Sequence, residues 1–139
     1  MSRMTLDLAN SLIAAVLDRG NKLGLNPLSV AVLDPGGHLI GFQRQDGGSN
    51  LRPQIAVAKA SGALALGVSS RAIAAERPTF VAALGPISSH GVIPAAGGVI
   101  ITDTEGQVVG AVGVTGDTSD NDEACALAGI AAVGLTPQV

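Results

Sequence analysis

The chain has 139 residues, the size of one domain, with a net charge of −3 and only 14% charged residues. Two Phe and no Tyr or Trp leave no aromatic platform for bases or sugars, and the acidic balance offers no basic face, so nucleic-acid binding is excluded. No apolar run approaches the ~20 residues of a spanning helix, the N-terminal segment lacks a signal-peptide core, and the one cysteine, Cys125, permits no internal disulfide; a soluble, cytoplasmic protein without membrane contact is expected.

The first element is a helix over Thr5–Leu23, where Leu6, Ala9, Ile13 and Val16 recur at helical spacing and Gly24 and Pro27 follow as stop signals. The run Leu28–Asp34, the turn Pro35-Gly36-Gly37 and the run His38–Phe42 predict a β-hairpin. Polar, Gly-rich residues 43–53 form a loop, and from Gln54 a broad Ala/Val/Leu stripe predicts a helix ending near Gly67. Ser69 or Ser70 caps a short helix, Arg71–Ala75. Residues 78–98, rich in Pro, Gly and Ser, predict a helical turn and then a long loop, a length that in so small a domain points to function. Val99–Asp103, a turn at Thr104–Gly106, and Gln107–Thr115 make a second strand pair. A last helix opens at Thr118 or Ser119, with Asp120, Asp122 and Glu123 in its first turn.

The predicted order is α-β-β-α-(α)-β-β-α, an α/β (α+β) fold over residues 1–139 as one domain, without linker, low-complexity tract or internal repeat. Hairpins in place of crossovers imply a mainly antiparallel sheet with packed helices. A hydrophobic content of 47% beside so little charge suggests apolar surface buried between subunits, hence a homo-oligomer.

Six stretches, in order, resemble one family. Val32–Leu39 resembles its "V-D-x-G-G-x-L" hairpin, Arg44–Gly47 its "R-x-D-G" exit, and Ala56–Ala60 its "A-x-x-K-A" helix. Gly97–Ile101 resembles "G-G-x-P-[LI]", with Val99 and Ile100 in place of the proline, Gly110–Gly116 resembles "G-A-[IV]-G-V-[ST]-G", and Asn121–Glu123 resembles "[QN]-D-E". Together they cover nearly the whole chain and are similar to the GlcG/HbpS family (DUF336). That resemblance implies a five-stranded antiparallel sheet of profilin-like topology, assembly into homo-oligomers and, in some relatives, haem binding or a link to haem degradation. It constrains fold more tightly than function.

Haem would call on the two histidines, His38 and His90, as axial ligands. His38 is equally readable as an exposed turn residue, whereas His90 lies in the irregular loop. Lys59, alone among Ala, Val and Leu, binds a carboxylate or haem propionate, serves as a base if buried, or snorkels to the surface. Arg44 and Asp46 project to the same side of an extended segment, as an anion clamp or a surface ion pair. Gly97, Gly98 and Thr115 stand in the matched motifs as ligand-contacting positions; neither glycine motif is a dinucleotide fingerprint or P-loop. Asp117, Asp120, Asp122 and Glu123 lack EF-hand spacing, so no metal site is expected, although Asp122 or Glu123 suits an acid/base role.

Two functions follow. One is a homo-oligomeric small-molecule-binding protein taking haem or a related tetrapyrrole. The other is a cofactor-free isomerase, hydratase, lyase or decarboxylase acting on a small carboxylate or carbonyl compound, with Lys59 and Arg44 supplying charge and His90, Asp122 or Glu123 moving protons.

Overall fold

The computed structural model describes residues 3–138; Met1, Ser2 and Val139, at the ends of the expected domain, lie outside the described residues. Thr5 caps α1 (Leu6–Leu23), its hydroxyl accepting the Leu8 N–H at 3.1 Å, and Gly24 ends the helix at φ 67°. Strands β1 (Ser29–Leu33) and β2 (Leu39–Arg44) form the first hairpin. The second strand runs past the expected end at Phe42, because Gln43 and Arg44 pair with Val30 and Ser29 on the sheet's outer edge, where polar side chains meet water. Helix α2 (Arg52–Leu66) starts two residues before Gln54, with Pro53 in the first turn, where its missing N–H has no partner to lose.

Ser69 caps α3 (Ser70–Ile73). Residues 78–98 fold as α4 (Pro78–Leu84), a 3-10 turn (Gly85–Ile87) and an irregular passage into β3 (Gly98–Thr102). Strand β4 (Val108–Thr115) leads to α5 (Ser119–Ala132), where the Thr118 hydroxyl accepts the Asn121 N–H at 3.2 Å. A fifth strand, β5 (Thr136–Gln138), closes the chain's described part.

All pairings are antiparallel, in the order β2-β1-β4-β3-β5. One face of the sheet, with Val30, Val32, Val99, Ile101, Val112 and Val114, packs on α1 and α5. The other face meets α2, where Leu33 and Ala111 contact Ala60 and Leu64. The helix lies close because Gly98 and Gly113, register partners on β3 and β4, have no side chains. A Cβ at Gly98 would overlap the Lys59 carbonyl oxygen, and one at Gly113 the Ala56 carbonyl oxygen.

The two tight turns are built alike, although the sequence shows no repeat. Asp34 Oδ1 accepts the N–H groups of Gly36 and His38, both at 2.9 Å; Asp103 Oδ1 accepts those of Glu105 and Gln107, both at 2.9 Å. Each turn carries a glycine at positive φ three residues after the aspartate, Gly37 at 84° and Gly106 at 78°. Among the described residues no helix is long and apolar enough to cross a membrane.

Candidate functional site

The first turn ends on His38, and there the two turns differ. His38 Nδ1 lies 3.2 Å from Asp34 Oδ1 and 3.3 Å from Oδ2. An ionised carboxylate only accepts hydrogen bonds, so this contact favours a proton on Nδ1. The His38 backbone N–H, with help from the imidazole and the Gly36 N–H, holds the Asp34 carboxyl below the usual carboxylate range. Nε2 of His38 has no hydrogen-bond partner among the described residues, and the ring is 77% exposed.

His38 lines a cleft of about 390 Å³ whose opposite side is the passage after α4, including His90. Leu64 and Ala65 of α2 form one apolar wall, and Ile87, 81% exposed, stands at the rim. The two histidines, 52 residues apart in sequence (90 − 38), therefore share one site. His90 also borders a smaller hollow of about 310 Å³ beside Pro53, Gln54 and Val57.

Lys59 and Asp122 meet elsewhere. Lys59 is not a snorkelling surface residue: it is 3% exposed, with Nζ 3.2 Å from Asp122 Oδ2 and donating to the Val114 carbonyl at 2.9 Å. Asp122, 1% exposed, accepts the Asp117 N–H on its other oxygen at 2.9 Å. Burial lowers the Lys59 ammonium's pKa and raises that of the Asp122 carboxyl, each partly offset by the other's charge. The pair joins α2 to α5, and neither residue lines the clefts described here.

The remaining expected positions scatter. Gly97 and Gly98 are buried, and what approaches them is Lys59 of α2, the Val114 carbonyl of β4 beside Gly97, and the Ser70 hydroxyl, which takes the Gly98 N–H at 2.7 Å. Thr115 is 1% exposed and accepts from the Arg52 guanidinium at 2.7 Å. Arg44 and Asp46 line a separate cleft of about 460 Å³ between α1 and β2, and Arg44 bonds the Gly48 carbonyl at 3.3 Å rather than Asp46. Glu123, half-buried, is bound with Asp120 to Arg71 of α3 at 2.9 and 2.6 Å. Among the described residues no group of three or more His, Cys, Asp or Glu is set to hold a metal ion.

Sequence reasoning missed Asp34 and Arg52. Asp34 was findable, since Asp-Pro-Gly-Gly-His puts a carboxylate and an imidazole on either side of one tight turn. Arg52 carries no local signal, because its partner Thr115 lies 63 residues away.

No curated protein sequence matches the chain. Among solved structures, Streptomyces reticuli HbpS is 30% identical, with a TM-score of 0.82 over 96% of this chain and 92% of that one. Klebsiella pneumoniae ORFY is 26% identical, with a TM-score of 0.86 over 96% of this chain and 92% of its own. PduOC, solved as a heme complex, is 19% identical and shares the fold, with a TM-score of 0.86 over 99% of each chain. The family described as haem degrading protein HbpS-like matches residues 4–131. The chain belongs to the HbpS-like family.

Proposed function

We propose that the protein binds haem or a related tetrapyrrole in the cleft between the first hairpin and the passage after α4, with His38 as the iron ligand. One observation carries this reading: Asp34 holds the His38 ring by Nδ1 and leaves Nε2 unpartnered at the edge of a cleft that also contains His90. A histidine that ligates iron uses one ring nitrogen and is commonly oriented through the other by a carboxylate.

The residues present fit such a group. Leu64, Ala65 and Ile87 offer aliphatic surface to a macrocycle, and the two imidazoles are the nitrogen donors. A bound iron porphyrin would supply the redox chemistry; the chain binds, orients and shields it. The cleft is open on one side, and Ile87 and Leu39, 81% and 54% exposed, border that side or its hairpin. A second copy covering these residues would close the site, so the reading includes a cytoplasmic homo-oligomer.

An enzyme working on small carboxylates through Lys59 and Asp122 needs both open to substrate. Their near-complete burial and mutual pairing favour the binding reading instead.

The test is a haemin titration of the protein followed by absorbance, with His38→Ala and His90→Ala beside the parent. The expected result is a saturable, stoichiometric Soret shift, lost in His38→Ala. A parent that shows no saturable shift, or a shift that both variants keep unchanged, overturns His-ligated binding.

A further inference from the structure

We propose that Asp34 is a positioning residue that keeps the His38 imidazole in the Nδ1–H tautomer and so presents a bare Nε2 to iron; this rests on the haem reading above.

The second hairpin supplies an internal comparison. Asp103 organises its turn through two backbone N–H groups, as Asp34 does, yet the residue at the place of His38 is Gln107. In both turns these backbone bonds fall on one oxygen of the carboxylate. Asp34 also sets both of its oxygens beside the His38 Nδ1, at 3.2 and 3.3 Å. A free neutral imidazole can place its proton on either nitrogen, but an acceptor-only partner at Nδ1 leaves one choice. The proton on Nδ1 removes it from Nε2, and a bare Nε2 is what a metal requires.

Asp34→Asn separates the two duties. The amide oxygen still accepts the Gly36 and His38 N–H groups, so the turn keeps its shape. The second position, 3.3 Å from Nδ1, becomes an NH₂ donor that competes with the amide oxygen at 3.2 Å, so the partner at Nδ1 is no longer acceptor-only and the Nε2–H tautomer gains. The neighbouring charge that strengthens the imidazole as a ligand is lost as well.

The experiment uses the full chain labelled with ¹⁵N-histidine, in alkaline buffer without haem, with His38→Ala assigning the two imidazole signals. The expected pattern is Nδ1–H for His38 in the parent and a larger Nε2–H share in Asp34→Asn. Haemin titration of the same samples should then show binding weakened about tenfold or more, while Asp103→Asn leaves both the His38 signals and haemin binding as in the parent. An Nε2–H tautomer in the parent overturns the proposal whatever haemin does. A tautomer that shifts toward Nε2–H in Asp34→Asn without weakening haemin binding also overturns it, by showing that iron is not held through His38. A parent that binds no haemin at all brings down the underlying reading, a result distinct from either of these.

Discussion

Replacing Lys59 by Met tests how the interior is held together. Lys59 and Asp122 side chains are 3% and 2% exposed, and the ammonium bridges Asp122 Oδ2 and the Val114 carbonyl. Methionine fills a similar volume, so the change removes charge and two hydrogen bonds without opening a large cavity. It leaves Asp122 buried with the Asp117 N–H as its remaining donor. Stranding one member of a buried pair costs about 3–5 kcal/mol, or on the order of 10–15 °C in Tm for a chain of this size. The cost should depend on pH with a definite sign. The Asp122 carboxyl is already raised above 3.8 by burial, and the Lys59 charge works against that rise. A carboxyl raised in the folded state stabilises fully below its unfolded value and loses that contribution as pH rises through its folded value. Without Lys59 the folded value climbs further, so the deficit of Lys59→Met should be larger at pH 8 than at pH 5. Chemical denaturation of parent and variant at both pH values measures it. A deficit below about 1 kcal/mol, or one independent of pH, refutes the buried-pair reasoning.

Ser29 Oγ is a buried hydroxyl without a hydrogen-bond partner in the described structure; Ser29→Ala should therefore stabilise the fold by about 1 kcal/mol, read from urea midpoints, and a loss of stability would show that the hydroxyl is satisfied. Gly113→Ala places a methyl group onto the Ala56 carbonyl oxygen, backbone against backbone; it should cost more than about 3 kcal/mol, or abolish soluble expression, while a neutral result refutes the close seating of α2. Cys125 is fully buried and burial raises its thiol pKa, so it should resist thiol reagents in the folded protein and react at once in denaturant; rapid reaction of the native thiol would contradict its placement in the core.

Local chemistry carried most of the fold. Thr5, Gly24, Ser69 and Thr118 mark helix ends that the structure reproduces, and Pro35-Gly36-Gly37 and Thr104–Gly106 mark the two hairpins. Strand β5 escaped pattern reading because three residues around Pro137 have no period of their own and become a strand only by pairing with Ile100, Ile101 and Thr102. The five-strand count came from the family resemblance, not from these residues. The candidate site was legible in its parts and not in its assembly. His38 and His90 stand out as the only histidines, but only the folded chain brings the first hairpin and the passage after α4 to one cleft. Lys59 was visible as a lone cation on an apolar helix. Its burial depends on Asp122, 63 residues away, and no local spacing encodes that distance. Gly97 and Gly98 illustrate the converse: glycines suited to close approach by a ligand are here approached by the chain's own helix.

The most direct measurement of where the tetrapyrrole sits is an amide NMR titration of the full chain with gallium protoporphyrin, a diamagnetic stand-in for haemin. Expected are saturable shifts centred on Gly36, Gly37, His38, Ser61 and His90, which line the proposed cleft. Shifts centred instead on Arg44 and Asp46, or no saturable shifts at all, would contradict binding at the His38–His90 cleft.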